Sequence, residues 1–152
     1  PALQDALPMK RMPTIKRFMT PFPLSVDVQA SADDARAFMA EHAVHHLPAT
    51  EDGRLIGMVS EPAIQAALEQ TPQDADAADI KVADIMARDI CVVDMSERLD
   101  RILDQMARER LDAVAVTRKG KLAGVFTITD ACASFAELLR EQVRRSGGGE
   151  AA

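Results

Sequence analysis

The sequence predicts an α/β fold made of two units related by a pseudo-twofold axis, each running helical turn, strand, helix, strand, strand, helix. Three observations carry that expectation. The first is an internal repeat: Gly57-Met58-Val59-Ser60 returns as Gly124-Val125-Phe126-Thr127. The same offset of 67 pairs Met19 with Met86, Val26 with Val93, Asp27 with Asp94, Met39 with Met106, Thr50 with Thr117, Gly53 with Gly120 and Leu55 with Leu122, with no gap between Ile15 and Leu68. One structural unit therefore occurs twice. The second is that each copy shows apolar residues first at helical spacing and then in two short runs around a Gly turn. The third is size. In 152 residues, 47% of them hydrophobic, one such unit cannot cover both faces of its own small sheet, so the two must pack as one module.

The elements follow in order. Residues 1–13 hold three prolines and no sustained period, and read as an N-terminal arm on the outside of the fold. The first unit spans 14–70. Thr14 to Met19 has room for one helical turn, which the prolines of Thr20-Pro21-Phe22-Pro23 close. Leu24 to Val28 reads as a strand. Ser31 is a good N-cap for a helix with Ala32, Ala35, Phe38, Met39 and Ala43 on its apolar face. Strands at Leu47 to Thr50 and Leu55 to Ser60 flank a hairpin whose Gly53 supplies positive φ. Ser60-Glu61-Pro62 opens a helix running to about Gln70, since Pro is tolerated in a first turn.

Residues 71–81 are polar and alanine-rich and read as the linker. The second unit, 82–145, repeats the pattern: a turn at Val82 to Met86, a strand at Ile90 to Met95, and a helix capped near Ser96 with Leu99, Ile102, Leu103 and Met106 as its stripe. Strands at Ala113 to Thr117 and Leu122 to Phe126 come next, then an extended helix from Ile128 carrying Phe135, Leu138, Leu139 and Val143. Residues 146–152 read as a disordered tail.

Composition excludes several classes. A net charge of −6 lacks the basic face that a nucleic-acid binder needs against phosphate, and with no Trp or Tyr there is little to stack bases on. No apolar run is long enough to span a bilayer and no secretory signal is visible, so a cytoplasmic protein with no membrane partner is expected, with Cys91 and Cys132 as reduced, buried thiols. No nucleophile elbow, phosphate loop or zinc signature is present, so no enzyme is expected. His42, His45 and His46 share helical spacing, but a helix ending near Ala43 separates them and argues against a metal.

Thr127-x-x-Asp130 admits two readings. One is a capping box at the start of the last helix, which needs no ligand. The other is a carboxylate held at a strand-to-helix turn that takes the hydroxyls of a ribose, with free N–H groups nearby for phosphate.

The Met19-Thr20 and Met86 turns, the stretch Ala43-Val44-His45-His46-Leu47-Pro48, the Gly hairpins and Gly124-x-x-Thr127-x-x-Asp130 together resemble the cystathionine-β-synthase (CBS) domain. The tandem resembles the regulatory module often called a Bateman module, freestanding. The resemblance implies the ribose use of Asp130, in a site shared between units. Val125, Thr127, Thr129 and Asp130 are completed by Thr20, Leu24, Ser25, Val44, His45 and His46, with Leu24 and Val44 sandwiching an adenine and the histidines towards phosphate. It implies a non-catalytic sensor of AMP, ADP, ATP or S-adenosylmethionine that acts as a homodimer and signals to a regulated protein partner. The homodimer is expected through apolar helix surface at Ile64 to Leu68 and Phe135 to Val143. The equivalent second site departs from the pattern: Ala63 replaces the ribose Asp, and Asp112 and Ala113 stand where the first unit has His45 and His46. Asp112 disfavours phosphate in both sites and favours a less anionic adenosyl ligand. The alternative is a structural dimerisation module whose sites have decayed.

Overall fold

The computed structural model describes residues 11–21, 24–73, 76 and 79–147. A 3-10 turn (Ile15–Arg17) leads into β1 (Thr20–Pro21), β2 (Val26–Asp27), α1 (Ala32–His42), β3 (His46–Glu51), β4 (Arg54–Ser60) and α2 (Glu61–Gln70). A short α3 (Val82–Ile85) leads into β5 (Val92–Asp94), α4 (Leu99–Glu109), β6 (Ala113–Arg118), β7 (Lys121–Thr127) and α5 (Ile128–Ser146). The strands form two sheets, ordered β2-β3-β4 and β1-β7-β6-β5. In each unit the strands on either side of the first long helix are parallel and the following hairpin is antiparallel, so the helix is the crossover. Both hairpins turn on two residues of positive φ, Asp52-Gly53 and Lys119-Gly120, a geometry that matches strand twist.

The two leading turns are exchanged between units. Ile15, fully buried, completes the second unit's core of Leu99, Ile102, Met106, Val114, Val116 and Phe126. Val82 and Met86 complete the first unit's core, among Ala35, Met39, Leu47, Val59 and Ile64. The backbone contacts that hold this exchange obey the repeat. Thr20 pairs with Val125 and Met58 with Ala87; Thr14 pairs with Arg98 and Ser31 with Lys81. Each contact becomes its fellow on shifting one end by 67 forward and the other back, which is what a local twofold axis requires. A third cluster, Met58, Ala115 and Val125, joins the two sheets. Neither unit closes its core without the other.

Gly57 and Gly124 make the close approach possible. A Cβ on Gly124 would stand 2.7 Å from Met19 Sδ and 2.8 Å from the Thr20 carbonyl oxygen. On Gly57 it would stand 2.5 Å from the Ala87 carbonyl oxygen and 3.0 Å from Met86 Sδ. Only a residue without Cβ lets the exchanged turn lie against the strand. Arg17 adds a surface ion pair from the first turn to Glu141 of α5 at 2.8 Å.

Several expectations need correction. Thr20-Pro21 is a strand on the edge of β7, not only a stop for the preceding turn. The cap of α4 is Arg98 rather than Ser96, because the Asp94 carboxylate already takes both the backbone N–H and the hydroxyl of Ser96 in a local turn. Ser31 caps α1 as anticipated, its hydroxyl accepting from Asp34 N at 3.0 Å. Ile64 does not offer surface: it is fully buried and Leu68 packs beside it, which leaves Phe135, Leu139 and Val143 of α5 as the exposed apolar stripe. Cys132 is exposed, on the outward side of α5. Ser146 is the last residue of α5 rather than the first of a tail. The rest of that tail lies outside the described residues, save Gly147, as do residues 1–10 of the arm, Phe22-Pro23 and four linker positions. The described end of the linker is bonded to the first unit, the Ile80 carbonyl accepting from Ala32 N at 2.7 Å.

Candidate functional site

A cavity of about 470 Å³ lies between the two units, within the range of small-molecule sites. The second unit supplies one wall through the β7–α5 junction: Val125, Thr127, Thr129 and Asp130. The first unit supplies the other through Thr20, Leu24, Val44, His45 and His46. Nine of the ten residues singled out in the sequence are thus brought together. Ser25 is not: it is exposed and absent from the lining, because successive residues of an extended chain face opposite ways and Leu24 takes the inward position. Sequence reasoning missed Ala43, Leu47, Pro48 and Ile128 as lining residues, whereas Asp112, expected to act on this site, does line it. Each of the four missed residues lies within two positions of a residue already named. Asp112 was identifiable as the repeat partner of His45, which places it across the axis from that histidine.

Thr20 reaches the cavity because β1 pairs with Val125 and Gly124. At the other wall, Thr127 and Asp130 form a reciprocal capping box. Thr127 Oγ1 accepts from Asp130 N at 3.2 Å, while Asp130 Oδ2 accepts from Thr127 N at 2.9 Å and from the Thr127 hydroxyl at 3.1 Å. The capping reading is therefore present in the structure. It does not exhaust the carboxylate, since both bonds fall on Oδ2 and Oδ1 takes none among the described residues. Asp130 is thus a half-buried acid on the cavity wall with one carboxylate oxygen fixed by the helix start.

The histidines differ from each other. His45 is exposed, and its Nδ1 bonds the carboxylate of Glu61, the first residue of α2. His46 is half-buried; burial holds its pKa below the ordinary value, with His45 adding to that effect and the nearby Asp112 opposing it. His46 is consequently neutral near pH 7. His42 stays out of the cavity, its ring 4.4 Å from that of Phe38.

The backbone repeats faithfully around both sites. Glu61 N donates to the His45 carbonyl at 2.9 Å, and Ile128 N donates to the Asp112 carbonyl at 2.9 Å. In the first-unit copy, Ser60 caps α2 by accepting from Ala63 N at 3.3 Å, but Ala63 offers no carboxylate. A hollow of about 460 Å³ between β5 and α4 is lined by mixed charge, including Asp94, Arg101, Asp104 and Arg108, and shares no residue with the cavity. Among the described residues no helix is long and apolar enough to cross a membrane.

Comparison with known proteins gives two consistent findings. Residues 15–69 and 82–137 each match the family model for the CBS domain. The fold is similar to that of the Vibrio cholerae protein assigned to acetoin utilization, AcuB, with 23% identity, a TM-score of 0.77, and coverage of 87% of this chain and 96% of that one. It is also similar to the CBS domain pair of protein MJ0100 in complex with 5′-methylthioadenosine and S-adenosyl-L-methionine, at 21% identity, TM-score 0.74, and 84% and 99% coverage. A third similar structure is that of CBSX2 in complex with AMP, at 26% identity, TM-score 0.68, and 82% and 97% coverage.

Proposed function

This chain belongs to the CBS domain family as a tandem pair, and we propose that it is a non-catalytic regulatory module that binds one adenosine-containing ligand per chain in the cavity at Asp130. The observation that carries this reading is the Asp130 carboxylate, anchored through Oδ2 by the capping box and open at Oδ1, on the wall of a cavity built from both units. In the bound state Asp130 accepts from the ribose diol and Thr127 or Thr129 supports it. Leu24, Val44 and Val125 provide the apolar surface for a purine. AMP, ADP, ATP and S-adenosylmethionine are the candidate ligands. Support comes from two similar structures, the MJ0100 domain pair in complex with 5′-methylthioadenosine and S-adenosyl-L-methionine and CBSX2 in complex with AMP.

Binding at a shared cavity offers a direct route to regulation. Thr20 belongs to the exchanged segment, and Arg17 of the same segment is paired with Glu141 on α5. A ligand that draws Thr20 inward therefore biases the position of α5, whose exposed Phe135, Leu139 and Val143 form a stripe suited to a second copy of the chain or a regulated protein. Calorimetric titration with AMP, ADP, ATP, S-adenosylmethionine and adenosine tests the reading: binding of at least one at about one per chain is expected. Absence of heat with all of them leaves a structural dimerisation module.

A further inference from the structure

Resting on the adenosyl reading of the cavity, we propose that Asp112 sets the chemical class of the ligand, making the cavity selective for an adenosine whose 5′ substituent is uncharged or cationic over one carrying phosphates. The four ionisable side chains on its wall are Asp112, Asp130, His45 and His46, and no lysine or arginine lines it among the described residues. Asp112 and Asp130 bring two carboxylates to this wall. The two imidazoles do not balance them. His46 is neutral near pH 7, and His45 is held by the Glu61 carboxylate, which cancels whatever charge it carries.

The helix start that attracts phosphate in other settings is in part committed. Of the first N–H groups of α5, that of Ile128 donates to the Asp112 carbonyl and that of Asp130 to Thr127 Oγ1. Asp130 is needed for the ribose, so its charge is common to every adenosyl ligand. Asp112 is the added negative charge, placed on the cavity wall by the second unit's lead-in to β6 and near enough to His46 to oppose the effect of burial on that imidazole. An anionic 5′ group meets net repulsion there; a sulfonium or ammonium meets attraction, and a thioether neither.

Coulomb attraction of one unit charge across a few ångströms of a half-solvated site is worth roughly three- to tenfold in affinity, and more for a group carrying several charges. The test is a titration of the intact chain and of Asp112→Asn with 5′-methylthioadenosine, S-adenosylmethionine, AMP and ATP, with adenosine as reference. The wild type is expected to bind S-adenosylmethionine and 5′-methylthioadenosine at least about tenfold more tightly than AMP, and ATP least. Asp112→Asn is expected to raise AMP affinity roughly three- to tenfold and to lower that of S-adenosylmethionine, with adenosine unchanged. If adenosine binds and AMP matches S-adenosylmethionine in the wild type, or if Asp112→Asn leaves their ratio where it was, this inference is overturned while the adenosyl reading stands. If neither adenosine nor any of the others binds, both fall together.

Discussion

Gly124→Ala adds one methyl group at the point where the exchanged turn lies against β7. The new Cβ meets Met19 Sδ at 2.7 Å and the Thr20 carbonyl oxygen at 2.8 Å. The thioether can swing aside, since methionine is flexible. The carbonyl oxygen cannot, because Thr20 and Pro21 are paired in register with Val125 and Gly124. To regain ordinary contact the turn must withdraw by about half an ångström, dragging Ile15 within the second core. Overpacking of this kind costs about 1–3 kcal/mol. For a chain of this length each kcal/mol lowers Tm by about 2–4 °C, so a fall of roughly 2–12 °C is expected. Two companions sharpen the reasoning. Gly53→Ala has nothing within 4 Å and only its φ of +78° to strain it, so it should lose about 1 kcal/mol. Gly57→Ala meets the Ala87 carbonyl at 2.5 Å and should destabilise as much as Gly124→Ala, yet leave Thr20 in the cavity. Thermal melts followed by circular dichroism, with ligand titration of each variant, are the assay. Gly124→Ala melting with the wild type while Gly53→Ala falls would refute the exchange of turns.

Three further outcomes are expected. Arg110 closes α4 with φ of 55°, a left-handed conformation costly for any residue with a Cβ; Arg110→Gly should relieve it for a net gain of about 0.5 kcal/mol after the added freedom of glycine in the unfolded chain, and a lower Tm contradicts this. Burial holds the native pKa of His46 below the ordinary imidazole value of 6.5, so the unfolded chain takes up that proton first; the stabilisation present above 6.5 is lost as pH falls through the native pKa, and His46→Gln should flatten that loss in urea melts between pH 7 and about pH 5. Equal slopes for the two proteins count against the burial of His46. Sedimentation should show a dimer at micromolar concentration that Leu139→Glu converts to monomer, since Leu139 is 48% exposed at the centre of the α5 stripe; a monomeric wild type removes that stripe as a self-association surface.

Much of this molecule was legible because its information is local or periodic. Ser31 and Ser60 cap where they stand, Gly53 and Gly120 turn the hairpins, and an ungapped offset of 67 gave the repeat. The exchange of leading turns was not legible. Ile15 and Val82 look equally apolar to either core, and only Gly57 and Gly124, glycines inside strands, hinted that another backbone passes close by. Ser96 misled because a Ser before a helix suits both a cap and an Asx turn, and Asp94 decided between them. In the cavity, the repeat that placed His45 also placed Asp112. Ser25 was missed by a single position, the difference between the two faces of an extended segment.

The account turns on Asp130, and titration of the wild type, Asp130→Ala and Ala63→Asp with adenosine, AMP and S-adenosylmethionine tests it most directly. Charge-assisted bonds to a ribose diol contribute on the order of 1.5–3 kcal/mol each, so Asp130→Ala should lose at least about tenfold in affinity for every ligand that binds. Its stability should fall only by the capping contribution, about 1 kcal/mol or about 2–4 °C in Tm, because the carboxylate also accepts from Thr127 N. The wild type should take up one ligand per chain, and Ala63→Asp should add no second site of equal strength. Unchanged affinity in a folded Asp130→Ala protein, or two equal sites in the wild type, would contradict the assignment.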